Sequence, residues 1–402
     1  MEPAKAQEYG RPLATAVQAT TSGHRVTTFE LFFDLVYVFA LTQVTGYMAH
    51  AHSGAGVLQS VLLLALLWWS WSAYAWLGNQ ARADLGIVRA GMALAMAGIF
   101  VVALALPETW HDAPGGLDGP LVLAVAYLFV RCVHLVVYRL LAGGDRELRR
   151  QVAISWLPVL AGAALLLVGV AVGGGVQTAL FAAAIVVDWG VVYATSRRGS
   201  WRIHSAEYFA ERYQLFVIIA IGESLTALGV GAAKLPVSVS LLAAALLGVG
   251  AAVGLWWLYF DLVTHIVRDR LHEAGGEIRL ALASSAYGLA HFPMVAGIVL
   301  TALGIEGVVG HAGSGHGLGA FYAWVLCGGV AAYVAGLLLF GWLAVRVWGP
   351  FRLVALVALL AWAPAAATLP ALGALTGVVV ILAVLAGVET WRFAGLRERV
   401  RD

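Results

Sequence analysis

The sequence is short of charge. Only 11% of its 402 residues are Asp, Glu, Lys or Arg, against roughly 25% in a water-soluble domain, too few to coat a surface that faces water. Cysteine is scarce as well. Cys132 and Cys327 each fall inside an apolar run, which excludes a disulfide framework and a CxxC metal site. The first 25 residues lack the apolar core of a cleavable signal peptide, so the first apolar run must itself direct insertion. No G-x-S-x-G, H-E-x-x-H or Walker A loop occurs, which removes the common local signatures of hydrolases, zinc proteases and nucleotide-driven pumps. No cofactor motif is present.

What fills the chain is apolar: 61% hydrophobic residues, 15 Trp and 47 Gly, with a mean hydropathy of +0.88. A bilayer span takes about 20 such residues. The sequence yields spans near 29–49, 56–77, 87–107, 120–141, 152–172, 176–196, 208–230, 238–263, 280–303, 320–345, 351–368 and 371–391. The last two are the least regular, since Pro364 and Pro370 interrupt them. The expected fold is therefore an all-α polytopic bundle of about twelve spans. Of the 24 Lys and Arg residues, all but Arg131, inside a span, and Lys234, in an external loop, fall at the termini or at alternate connections. That alternation places both termini in the cytoplasm. The lipid bilayer is the evident partner. Nucleic acid is not, because the basic residues serve orientation in short loops rather than forming a basic face.

The halves are faintly alike. Glu30 opens ELFFDLVYVFALTQVT and Glu211 opens ERYQLFVIIAIGESLT, and both following spans contain LWW, at 67–69 and 255–257. Six spans separate the copies, so such a repeat would be parallel. The expected organisation is a tail over 1–25, a first half over 26–196, a linker over 197–207, a second half over 208–391 and a tail over 392–402.

The run VTTFELFFDLVYVFALTQVT at 26–45 resembles the N-terminal signature of the bacterial low temperature requirement A (LtrA) family. AERYQLFVIIAIGESL at 210–225, WWLYFDL at 256–262 and AYGLAHFPMVAGIVLTALG at 286–304 are similar to its later blocks, in order. The resemblance implies a multi-pass protein of the bacterial inner membrane. It implies no biochemical activity beyond the requirement for growth in the cold in the family's name.

Ionisable groups inside spans cost roughly 2.5–3.5 kcal/mol each on insertion scales, and so mark candidate sites. Glu30 and Asp34 are one turn apart and share a face with Tyr37, so they form a candidate proton or cation site. Thr27 and Glu30 also fit a capping box, which gives Glu30 a purely structural alternative. Arg212 is placed to neutralise Glu30, Asp34 or Glu211. It lies eleven residues before Glu223, about 16 Å along one helical face, so the two cannot pair directly. Tyr127, Arg131, His134 and Tyr138 form a polar stripe on the fourth span, with Asp34, Asp188 and Glu223 as candidate partners for Arg131. His291, two residues before Pro293, combines a titratable ring with a kink. His204, Glu207 and Glu211 share a face, but with no second ligand set this is a weak metal site. The run WWSWSAYAW at 68–76 reads as an aromatic belt at the headgroups.

The candidate binding residues are thus Glu30, Asp34, Arg131, His134, Glu211, Arg212, Glu223 and His291. They support a secondary transporter or channel-like protein that handles protons or cations with a small solute. The alternatives are an intramembrane enzyme of lipid or isoprenoid metabolism, with His134 or His291 in acid–base roles, and a sensor or scaffold without transport. Substrate and oligomeric state stay open.

Overall fold

The computed structural model describes residues 20, 23–196, 201–233, 235–395 and 397. Most of the N-terminal tail, part of the 197–207 linker, Lys234 and much of the C-terminal tail lie outside the described residues. Among those described the chain is helical throughout, with no strand. The helices are α1 (Thr28–Ala51), α2 (Gly54–Gln80), α3 (Gly86–Ala105), α4 (Gly119–Leu141), α5 (Arg146–Val172), α6 (Gly174–Ser196) and α7 (Ala206–Ala232). They continue as α8 (Val239–Phe260), α9 (Val263–Glu273), α10 (Gly276–Leu282), α11 (His291–Gly310), α12 (Ala320–Val345), α13 (Pro350–Thr368) and α14 (Ala371–Arg392). Grouped into continuous stretches they make twelve spans long and apolar enough to cross a bilayer.

Both proline-marked spans form as helices, since a membrane helix can carry an interior proline whose freed backbone groups find other partners. Pro364 lies within α13. Pro370 precedes the first turn of α14, where its missing N–H removes no helical bond. Two stretches run longer than the sequence indicated. The eighth continues past Phe260 into α9, for 35 residues in all. The ninth is also 35 residues: α10, a π-helical segment over Ala283–Leu289, and α11. Its end takes in GIEGVVG, assigned by sequence to an external connection, because a glycine-rich run is compatible with helix in lipid.

Polar caps fix several ends. Asp118 accepts from Leu121 N at 2.9 Å to start α4, Asp145 accepts from Glu147 N and Leu148 N at 3.0 Å to start α5, and Ser238 accepts from Leu241 N at 3.2 Å to start α8. Each satisfies backbone donors that a helix start leaves open.

The chain divides into two compact units, Met1–Ala40 with Ala65–Arg212, and Leu41–Leu64 with Tyr213–Asp402. In the first, α3 packs on α4, α4 on α5 and α5 on α6; in the second, α11 packs on α12, α12 on α13, and α14 on both α13 and α8. Lipid gives helices no hydrophobic reason to associate, so close backbone approach and polar contacts do that work.

At one end of the first unit, Asn79 ties down the segment before α7. Its Nδ2 donates to Ser205 O at 2.6 Å, and its Oδ1 accepts from His204 N at 2.7 Å. Burial, with Arg202 nearby, holds the His204 imidazole below its usual value. A depressed histidine favours the folded state only while neutral, so this stabilisation is lost as pH falls below the unfolded value of about 6.5. Amide exchange at 202–205, corrected for intrinsic rate, is expected to quicken from pH 7.5 to pH 5. Protection that does not change over this range would refute the assignment.

Candidate functional site

Two helical spacings meet in the first unit. Glu30 and Asp34 lie one turn apart on α1, and Tyr208 and Arg212 lie one turn apart on α7. The Tyr208 hydroxyl donates to Glu30 Oε1, and Arg212 grips Asp34, Nη1 to Oδ2 at 2.7 Å and Nη2 to Oδ1 at 2.9 Å. Neither member of that ion pair has any exposed side-chain surface. Trp71 Nε1 donates to Asp34 Oδ1 at 2.8 Å, and the Arg212 guanidinium lies 5.5 Å from the centre of a Trp71 ring. A planar fork matched to a carboxylate, with an indole completing the acceptor, is the geometry in which a buried pair holds together.

Glu30 serves as a cap. Its Oε2 accepts from Thr27 N and Thr27 Oγ1, both at 2.9 Å, while Glu30 N donates to Thr27 Oγ1 at 3.4 Å. This is the reciprocal capping box of the sequence reading, with Tyr208 added on the free oxygen. Gly78 makes room for it, since a Cβ there would lie 2.7 Å from Glu30 Oε1. Each carboxylate thus has its own partners. Tyr37, on the same face, is within hydrogen-bonding distance of Ser70 at 3.0 Å. Glu211 accepts from Val26 N at 3.3 Å.

Arg131 answers Asp188, one of its three candidates. Arg131 Nη2 lies 3.1 Å from Asp188 Oδ2 and donates to Oδ1 at 3.2 Å. Around the pair is a cleft lined by Trp69, Tyr127, Trp189 and apolar residues of α4, α5 and α6. It leaves about 10 Å3 to the centre of a water-sized sphere, room for one water. His134 contacts Ala73 O through Nε2 at 3.0 Å, and its ring meets Tyr74 and Tyr138 edge-on.

In the second unit Glu223 is 2% exposed. Neither of its oxygens makes a well-formed hydrogen bond; Thr42 and Glu306 are its polar neighbours. No ion pair to Glu223 is present among the described residues. His291 is wholly buried, with Nδ1 3.2 Å from Ala286 O and Nε2 2.7 Å from the Tyr259 hydroxyl. Tyr287 stacks on it at 5.4 Å, and Tyr213 and Phe340 meet it edge-on. Both ring nitrogens are therefore engaged, next to a π-helical segment of the kind that often marks functional positions. His204, Glu207 and Glu211 do not converge: among the described residues no group of three His, Cys, Asp or Glu side chains could hold a metal ion.

The sequence profile of the family described as bacterial low temperature requirement A protein (LtrA) matches residues 25–387, nearly the whole chain. The chain belongs to the LtrA family. It is also similar to "Uncharacterized protein RA0937" of Rhizobium meliloti (strain 1021), with 27% identity over 388 residues, covering 93% of this chain and 90% of that relative. No solved structure matches the chain. With twelve spans and this family, it is a multi-pass protein of the cell membrane.

Three participants in this LtrA protein escaped the sequence reading. Trp71 belongs to the run read as an aromatic belt, yet Trp68, Trp71 and Tyr74 are at most 1% exposed, because a buried carboxylate needs donors more than the headgroups need another indole. Their spacing of three residues was the available signal for an inward face. Tyr208 lies one turn before Arg212, a spacing that matches Glu30 and Asp34. Glu306 lies in a stretch taken for a loop.

Proposed function

We propose that this LtrA protein is a secondary transporter or channel-like protein in which Glu223 carries the coupling proton or cation. The observation that supports this reading is a buried carboxylate in a span with no basic partner among the described residues. Such a group stays in a membrane interior when a proton or a bound cation cancels its charge. Gaining and losing that proton or ion is a coupling step. Thr42 and Glu306 supply further oxygens beside it, which suits a hydrated or cationic species. Asp34 and Arg131 differ in this respect: each has its counter-ion in place and holds the first unit in shape.

The intramembrane-enzyme reading asks for a histidine free to exchange protons. His291 meets the Tyr259 hydroxyl and a backbone carbonyl and His134 a backbone carbonyl, so among the described residues neither is hydrogen-bonded to the carboxylate that an acid–base pair would use. In the favoured reading both termini are cytoplasmic, and 26–196 and 208–391 act as the two halves of a parallel repeat.

The test is proton flux into proteoliposomes under an imposed potential, read by an internal pH dye, with sodium and potassium gradients run in parallel. Wild type is expected to conduct or exchange at least one of these ions, and Glu223→Gln to fall to the level of empty liposomes while remaining folded. Full flux in Glu223→Gln would end the assignment of Glu223.

A further inference from the structure

Other carboxylates inside this chain show what it supplies to one that keeps its charge. Asp34 accepts three hydrogen bonds, two from Arg212 and one from Trp71. Glu30 also accepts three, from Thr27 N, Thr27 Oγ1 and the Tyr208 hydroxyl. Glu389 accepts two from the fork of Arg352, and Asp188 is paired with Arg131. Each has several donors, a cation or both, as an ionised group that can only accept requires.

Glu223, in the second unit, has neither provision. Its oxygens make no well-formed hydrogen bond, and no cation pairs with it among the described residues. Of its two polar neighbours, Thr42 brings a hydroxyl with one hydrogen to give and two lone pairs to accept with, and Glu306 is a second acid, whose charge would repel one on Glu223. These surroundings are poor for a carboxylate. They suit a carboxylic acid, which has an O–H of its own to donate and needs a single acceptor. A metal cation would ask for more, since it exchanges the water it sheds for several oxygens and needs room among them. Both Glu223 oxygens have almost no surface open to a water molecule, and among the described residues no three His, Cys, Asp or Glu side chains gather about a metal. A proton needs neither the space nor the ligands.

We infer that the ion carried by Glu223 is a proton, and that Glu223 rests as a neutral carboxylic acid with the Thr42 hydroxyl as its acceptor. The inference rests on the reading of Glu223 as the coupling group, and it narrows the ligand from a proton or a cation to a proton alone. Loading forms one O–H bond: a carboxylate lone pair takes a proton from a hydronium ion and leaves water. Unloading reverses it. The neutral resting state also explains how Glu223 stays deep in a span without a counter-ion.

Infrared spectroscopy in hydrated lipid films at neutral pH tests it by comparing wild type with Glu223→Gln. Wild type is expected to show the carbonyl stretch of a protonated carboxylic acid, moved to lower frequency in deuterium oxide and lost in Glu223→Gln. Replacing choline in the buffer by sodium or potassium should leave that band unchanged. If Glu223→Gln instead loses the stretches of an ionised carboxylate, the inference falls. It falls equally if sodium or potassium removes the acid band from wild type, a measurement that needs no variant. Flux separates this result from the reading beneath it. An acid band assigned to Glu223 together with full flux in Glu223→Gln keeps the proton and ends the coupling role; lost flux with no acid band keeps the role and gives it to a metal cation.

Discussion

Arg212→Ala is expected to be the most damaging substitution in the first unit. It leaves Asp34 without its cation in a site with no exposed surface, where the Trp71 indole donates a hydrogen bond but brings no charge to balance the carboxylate. Breaking a buried ion pair from one side costs about 3–5 kcal/mol, a large fraction of the stability of most folds. The variant should unfold at a markedly lower temperature than wild type when tryptophan fluorescence is followed in detergent, or fail to give a monodisperse peak. Removing both charges tests the cause. Asp34→Leu with Arg212→Met replaces the pair by apolar side chains of similar length, and such exchanges are often neutral or stabilising by about 1–4 kcal/mol. The double variant should therefore recover much of the loss. Arg212→Ala with wild-type stability would sink the structural account. A stable double variant that retains ion flux would show that the pair builds the protein rather than runs it.

Much of this could be read from the chain. The spans follow from hydropathy alone, because lipid allows a continuous backbone little besides helix. The capping box was legible in Thr27 and Glu30, since that motif is local. The stripe on α4 was legible because a spacing of 4, 3 and 4 defines a helical face whatever surrounds it. Partners were harder. Arg131 had three candidate acids, and only packing selected Asp188; Arg212 had three, and packing selected Asp34. The equal spacing of Glu30 with Asp34 and of Tyr208 with Arg212 could have narrowed the second choice, as two rungs are more specific than one. Arg352 shows the limit of counting charges for orientation. Placed beside a connection by sequence, it is a buried fork on Glu389, at 2.7 and 2.9 Å, that also donates to Leu258 O at 3.2 Å. A charge near the end of a span can orient the chain and still end up inside the protein.

Gly297→Ala should disrupt the second unit as severely, by a route in which charge plays no part. A Cβ on Gly297 of α11 would lie 2.5 Å from Gly329 O and Tyr333 N of α12, and 2.9 Å from Tyr333 Cα. These are backbone atoms, so no side chain can turn aside and the two helices must part. Gly329 meets Thr301 N at 2.6 Å in the same way, and Gly304 meets Leu326 Cα at 2.6 Å, so separation at one glycine loosens the whole seam. Dispersion across such close approach is much of what holds helices together in lipid. Alanine brings a helix-propensity gain of about 1 kcal/mol over glycine, and overpacking commonly costs about 1–3 kcal/mol, occasionally more. With only backbone to yield, the cost belongs at the top of that range. Gly328→Ala, one residue from Gly329 but with nothing within 4 Å of its Cβ, takes the propensity gain without the clash. Thermal unfolding of the two variants should therefore move in opposite directions, Gly297→Ala down and Gly328→Ala level or up. If Gly297→Ala matched Gly328→Ala, the two helices would not be in backbone contact along this seam, and the close packing of the second unit would have to be redrawn.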